Sequence, residues 1–273
     1  MKKGQMRIVS WNCNEGFWNK WKHISKYKAD IYVICECGNP ATVSKKYGEF
    51  AKNYIWVGED KNKGLGIFAN EDVQLELIPV SNKLAEDYIT IKNEEEFYIG
   101  EKAKEGKKIE DIPEEDYIEF RHFIPVKVTV EDYTFNLLAV WAMPEYVEMI
   151  HDFYDAHKEL FSENLIMCGD LNSSILFDER GEHKGKNFGM LIRKLKKHNL
   201  VPVYHSLNNK EKHGHESEAT YFYKKKLNSR FHIDHVFSAP YITKKLKIID
   251  NVKWIKLSDH LPLVFEIDES KFD

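Results

Sequence analysis

An α/β (α+β) fold, with two packed β-sheets flanked by helices, is what this sequence predicts, and three observations predict it. Apolar runs of strand length recur from one end of the chain to the other, and helical patterns are fewer and lie between them. Apolar residues make up 42% of the chain and aromatics 13%, which is enough material for a large interior. With 273 residues and no internal repeat or low-complexity linker, one compact domain over 1–273 is the expectation.

Arg7–Cys13 opens the series of strands, and Ile31–Cys35 repeats it after a helical pattern over Trp18–Tyr27. Tyr54–Trp56, Leu65–Phe68 and Val73–Ile78 follow as strands. The pattern then breaks: residues 84–119 carry 13 Asp/Glu against 5 Lys and few large apolar side chains. The stretch 81–119 therefore reads as a charged surface insertion, with a small hairpin around Ile89–Ile99. Ile124–Val130 and Phe135–Val140 resume the strands, Met149–Phe161 is helical, and Leu165–Cys168 is again a strand. Asn187–His198 sets Phe188, Leu191, Ile192 and Leu195 at helical spacing with lysines opposite. Ile233–Phe237 and Leu261–Ile267 complete the series.

A formal net charge of −4 argues against capture of nucleic acid by overall electrostatics. The distribution is uneven, however, since residues 183–256 carry 17 Lys/Arg against 5 Asp/Glu. That excess reads either as a solvated surface or as a phosphate-binding one. Cys13, Cys35, Cys37 and Cys168 sit in apolar runs without the spacing of a disulfide framework or zinc ribbon, and read as reduced core residues. MKKGQMRIVSWN passes directly into a strand pattern, and no run approaches a membrane span. A soluble cytoplasmic protein without a membrane partner is the expectation, and nothing in the sequence points to a protein partner.

The chemistry gathers where apolar strands end in polar residues. Asn12 follows Ile8-Val9-Ser10-Trp11, Glu36 follows Ile31–Cys35, and Asp170 follows Leu165–Gly169. Acids at the mouth of a buried sheet are costly unless paired or bound to a cation, so these ends together point to a metal site. Singly, Glu36 is a capped strand end and Asn12 an Asx-turn residue. In Gly169-Asp170-Leu171-Asn172, an acid able to take a proton from water stands two residues from an amide able to orient it; an ordinary Asp/Asn turn is the plainer reading. Ser258-Asp259-His260 places a carboxylate and an imidazole at the entrance of the last strand.

Together with Gly64-Leu65-Gly66-Ile67-Phe68 and His232-Ile233-Asp234-His235-Val236-Phe237, these segments resemble, in order and over nearly the whole chain, the endonuclease/exonuclease/phosphatase superfamily. This is the metal-dependent group of exonuclease III-like and DNase I-like enzymes. The resemblance implies a four-layer α/β/β/α sandwich of two mixed sheets, with the site at one edge. It implies Glu36 as principal metal ligand, Asn12 and Asp259 near the cation, and Mg²⁺ or Mn²⁺ as the cation that hard oxygen ligands favour. Asp170 would orient or deprotonate water, Asn172 would hold water or phosphate, and His260, positioned by Asp234, would contact the scissile phosphate. The activity implied is phosphodiester hydrolysis, with DNA or RNA as substrate.

One block departs from the family pattern. Trp141 stands where a His or Tyr usually touches phosphate, and it offers only an indole N–H. Asn14 and His122 are candidate replacements for that contact. The departure also keeps two other functions in view: hydrolysis of small phosphoesters, and a binding module with weakened catalysis. Lys224, Lys225, Lys226 and Arg230 are candidate phosphate contacts, as are Lys244, Lys245 and Lys247. Tyr221, Phe222 and Tyr223 are candidates for base stacking or for core. His205, His213 and His215 match no standard zinc spacing and are expected to be a glycine-flanked loop without zinc.

Overall fold

The computed structural model describes residues 5–42, 44–79, 89–92, 97–99, 120, 122–144, 146–181 and 185–272. Most of the 81–119 insertion lies outside them. The strands are β1 (Gln5–Asn12), β2 (Ile31–Cys37), β3 (Asn53–Asp60), β4 (Lys63–Ala69), β5 (Gln74–Leu77), β6 (Ile89–Lys92), β7 (Phe97–Ile99) and β8 (Phe123–Val130). They continue with β9 (Tyr133–Trp141), β10 (Leu165–Asp170), β11 (Val201–Pro202), β12 (Tyr221–Phe222), β13 (Arg230–Phe231), β14 (Asp234–Ser238), β15 (Thr243–Ile248) and β16 (Leu263–Asp268). Helices are α1 (Trp21–Ile24), α2 (Ser44–Tyr47), α3 (Tyr146–Ala156), α4 (Ile175–Glu179), α5 (Phe188–Lys196), α6 (Val203–Leu207) and α7 (Val252–Leu257).

Among the described residues, the first sheet has eight strands in the order β15-β16-β1-β2-β4-β3-β6-β7, and the second has six in the order β11-β14-β10-β9-β8-β5. Both mix parallel and antiparallel pairs: β1–β2 and β9–β10 are parallel, while β1–β16 and β10–β14 are antiparallel. The expected hairpin near Ile89–Ile99 exists as β6 and β7, which extend the first sheet beyond β3.

Alternation along the strands divides the interior into two cores. Leu137, Ala139 and Trp141 of β9 and Ile166 and Cys168 of β10 join the core between the sheets. Leu138 and Val140, with Leu165 and Met167, face the other way, onto Val147, Ile150 and Phe153 of α3 and Leu191 and Leu195 of α5. Helix α5 runs where the sequence predicts it, with Asn187 as N-cap accepting the Met190 amide at 2.9 Å.

Two expectations need correction. The pattern Trp18–Tyr27 is not one helix but a 3₁₀ turn (Phe17–Asn19), the short α1 and a second 3₁₀ turn (Ser25–Tyr27), ended by Lys28 in the left-handed region. Aromatic and Ser residues are weak helix formers there, and packing of Phe17, Trp21 and Ile24 onto the sheet prevails over a continuous helical ladder. The Thr243–Ile248 segment, which carries the candidate phosphate contacts Lys244, Lys245 and Lys247 and for which no strand is predicted, is β15. It is an edge strand whose Lys244, Lys245 and Lys247 face outward, a common protection against edge pairing. No helix among the described residues is long and apolar enough to cross a membrane.

Candidate active site

The inward face of β10 continues from Ile166 and Cys168 to Asp170, so alternation alone turns this carboxylate into the gap between the sheets, where it is buried. Gly169 makes that turn possible. Its φ is +148°, and a Cβ there would lie 1.8 Å from the Val140 carbonyl oxygen. Beyond it, Asn172 takes a positive φ of 47° and donates its backbone amide to Asp170 Oδ1 at 3.0 Å. The Asp/Asn turn and the polar pair of the sequence reading are therefore one object.

Asn12 enters from the opposite sheet at the end of β1. Its Nδ2 donates to Asp170 Oδ2 at 2.9 Å and to Glu36 Oε1 at 3.1 Å, while its Oδ1 accepts the Asn14 amide at 3.0 Å. Two carboxylates on one atom and an N–H on the other fix the orientation of the amide. Glu36 reaches this network through a bulge. Cys35 points inward, its thiol on the Val140 carbonyl at 3.7 Å, so strict alternation would turn residue 36 away. The β2–β4 register shifts between Cys35 and Cys37, and Glu36 has a φ of 59°, which re-aims its side chain toward Asn12.

The third component comes from the C-terminal strands. His260 Nδ1 lies 2.9 Å from Asp234 Oδ2, and its Nε2 lies 3.8 Å from Asp170 Oδ2, with all three side chains buried. Facing a carboxylate, Nδ1 carries a proton and donates it to Asp234. Ser258 clamps this residue to β1: its Oγ donates to the Asn12 carbonyl at 2.7 Å and accepts the His260 amide at 3.0 Å. Thr220 Oγ1 accepts the amides of Ile233 and Asp234, and the Tyr221 ring lies 4.5 Å from His260.

Electrostatics follow from this crowding. Burial opposes the His260 cation, but the charges of Asp234 and Asp170 outweigh it and hold the group up at about 10. Burial pushes Asp170 up to about 7, with the His260 cation pulling it back part of the way. Among the described residues, Asp170, Asp234 and His260 present ligand atoms within 4.8 Å of one another.

Asp259 accepts from Asn14 Nδ2 at 2.6 Å. Asn14 is thus drawn into the polar network and, with Lys20 Nζ capping the Cys13 and Asn14 carbonyls, closes the loop after β1. Lys63 joins this network without any signal in the sequence. Its Nζ is 3.2 Å from Glu36 Oε2 and 5.2 Å from the Trp141 ring centre, a contact between β4 and β2 that no local pattern announces. Trp141 is 3% exposed and packs on His122, itself buried, at 4.5 Å between ring centres. His122 is therefore not placed as an open replacement for a phosphate donor.

Lys224 and Lys225 are exposed on the link between β12 and β13, and Arg230 is exposed on β13. That small hairpin is rooted beside the site, because Tyr221 bridges to His260 and the Phe222 amide donates to the Asp259 carbonyl at 2.7 Å. Tyr223 and Leu227 are exposed on the same turn. A groove of about 560 Å³ among Trp21, Tyr32, Phe50 and Phe68 contains none of the candidate residues.

No protein-family model and no curated protein matches the sequence. Solved structures do match, over almost the entire chain. An AP endonuclease, LMAP, from Leishmania major aligns with a TM-score of 0.64 at 10% identity, covering 98% of this chain and 89% of that one. D. rerio TDP2 complexed with single strand DNA product aligns at 0.57 and 15% identity, covering 97% and 99%. A 3'-5' exonuclease, NExo, from Neisseria meningitidis aligns at 0.57 and 16%, covering 96% and 100%. The chain shares the fold of these structures, a DNase I-like sandwich of two mixed β-sheets with helices outside. Asn12 and Glu36 from one DNase I-like sheet, and Asp170 and Asp234 from the other, meet where the two sheets end.

Proposed function

We propose that this chain is a divalent-metal-dependent phosphodiester hydrolase, a nuclease acting on DNA or RNA. The observation that carries the reading is the meeting of Asp170 with Asn12 and His260 at the sandwich edge, with Glu36 beside Asn12 and Asp234 behind His260. Solved structures of the same fold named as AP endonuclease and exonuclease support it. The basic hairpin over Lys224, Lys225 and Arg230 favours a polyanion over a small phosphoester.

The residues fit a hard cation. Glu36 Oε2 is already neutralised by an ammonium, Lys63 Nζ, a flexible and partly exposed group that a divalent ion can displace. Asn12 Oδ1 keeps a second lone pair beyond the one used by Asn14. Glu36, Asn12 and Asp259 would hold Mg²⁺ or Mn²⁺, which when bound supplies charge neutralisation at the phosphate. Asp170, raised toward neutrality by burial, takes the proton of the attacking water, and Asn172, whose Nδ2 donates to the Asp170 carboxylate and the Ala142 carbonyl, offers Oδ1 to hold that water. His260 presents Nε2 as a cationic donor to the phosphate, and Asp234 fixes its orientation. The buried free thiols Cys13, Cys35, Cys37 and Cys168 support a reducing, cytoplasmic setting.

The test is a substrate panel of abasic duplex, plain duplex, single strands and structured RNA, with small phosphoesters alongside, assayed with Mg²⁺ or Mn²⁺ and with EDTA. Cleavage of a nucleic acid that EDTA abolishes is the expected result. Turnover of small phosphoesters alone would refute the substrate class.

A further inference from the structure

We propose that His205, His213 and Glu216 form a second metal site, of the zinc class, separate from the hydrolytic centre. The three side chains offer ligand atoms within 4.8 Å of one another. His205 comes from α6, and the other two from the loop 208–220 that follows it. The spacing of His205, His213 and His215 predicts no zinc site; in the structure His215 is exposed, and Glu216 turns inward in its place.

The cluster is built rather than incidental. The side chains of His205 and Glu216 are only 9% and 7% exposed, with His205 Nε2 and Glu216 Oε1 3.2 Å apart. The His205 and His213 rings stack with centres 3.6 Å apart. Neither buried ring nitrogen of His205 has a well-directed hydrogen bond, which in an ordinary polar interior is costly. A further unclaimed donor stands beside the group. His232 Nδ1 faces the Glu218 carbonyl at 2.9 Å and must donate to it, so its buried Nε2 is a bare lone pair without a partner. A backbone carbonyl behind one ring nitrogen is how metal-binding imidazoles are commonly oriented.

Two imidazoles and one carboxylate select zinc and similar transition metals over Mg²⁺. Ligand atoms in a tetrahedral zinc shell with bonds of about 2.0–2.1 Å lie about 3.3 Å apart, close to the His205–Glu216 spacing. The loop is otherwise tied by Glu211, which accepts from Tyr204 Oη and Ser217 Oγ, and by the Gly214 amide on Glu216. It ends at Thr220 and Tyr221, which hold Asp234 and pack on His260. An ion here fastens the segment that supports the His260–Asp234 pair.

The experiment titrates Zn²⁺ into the chelator-treated full chain in excess Mg²⁺, following heat of binding, melting temperature and zinc retained after desalting. One Zn²⁺ per chain with a raised melting temperature is expected. His213→Ala, His213→Gln and Glu216→Gln each weaken binding at least about 10-fold, with circular dichroism confirming that each is folded. His215→Ala and His260→Ala leave it unchanged. Equal affinity in the folded His213 and Glu216 variants, absence of stoichiometric zinc in the wild type, or loss of zinc only in His260→Ala would overturn the proposal.

Discussion

At the residue scale, the site is governed by what burial does to charge, and two histidines show opposite signs. His260 is raised to about 10 by Asp234 and Asp170 against the pull of burial. Its contribution to stability is complete below the unfolded value near 6.5 and is lost as pH rises through about 10. Asp234→Asn removes the strongest of the supporting charges, so the alkaline loss of hydrolysis moves toward neutral pH. A pH–rate profile identical to wild type would contradict that role. His235 is depressed to about 3 by burial and by neighbouring His232, with its Nε2 donating to the Ser173 carbonyl at 2.9 Å. It folds neutral, so its contribution is complete above about 6.5 and is lost as pH falls toward 3. His235→Asn keeps a donor but cannot titrate. Denaturant melts from pH 7 to 4 are expected to show a shallower acid slope in the variant, by up to about 1.4 kcal/mol per pH unit. Lys63→Met removes the ammonium that competes for Glu36, and half-maximal activity is expected at lower Mg²⁺; a higher requirement would make Lys63 a helper rather than a competitor.

At the element scale, the site depends on backbone irregularities at strand ends. Gly169→Ala places a methyl against the Val140 carbonyl at a φ only glycine tolerates, and a loss of at least about 2 kcal/mol is expected in chemical denaturation. The exposed basic side chains of the β12–β13 hairpin are the part of it proposed to meet the polyanion. Replacing Lys224, Lys225 and Arg230 with Ala is expected to weaken nucleic-acid binding and flatten its salt dependence by up to about one unit of slope per lost phosphate contact. Turnover of a small phosphodiester should be unaffected; an unchanged salt slope would place the polyanion elsewhere. Apolar runs such as Leu165–Cys168 announce themselves, because a strand buried on both faces has almost no polar positions. The exposed edge strand Thr243–Ile248 reads as a basic patch, because its lysines face water. The two-residue strands β12 and β13 are too short to leave a pattern, and the broken helical segment after β1 follows packing rather than propensity.

At the scale of the whole molecule, the sandwich turns residues distant in sequence into neighbours. Asn12 and Asp170 are 158 positions apart and share a hydrogen bond, and Ser258 reaches the Asn12 carbonyl across 246. The strand-end residues Asn12, Glu36, Asp170 and Asn172 and the strand-entrance residue His260 were legible, because each borders an apolar run; Asp234, inside the predicted strand Ile233–Phe237, was legible only through the family resemblance. Lys63, Thr220 and Glu216 were not, since each matters only through a partner on another element. In the proposed function, phosphodiester hydrolysis at the sandwich edge depends on Glu36 and His260. That dependence is tested most directly by nuclease turnover of wild type, Glu36→Gln and His260→Ala on the preferred nucleic acid, with saturating Mg²⁺ or Mn²⁺ and with EDTA. A fall of at least about 10²-fold in each folded variant, with no turnover remaining in EDTA, is expected; near-normal turnover in both variants would overturn the proposed roles.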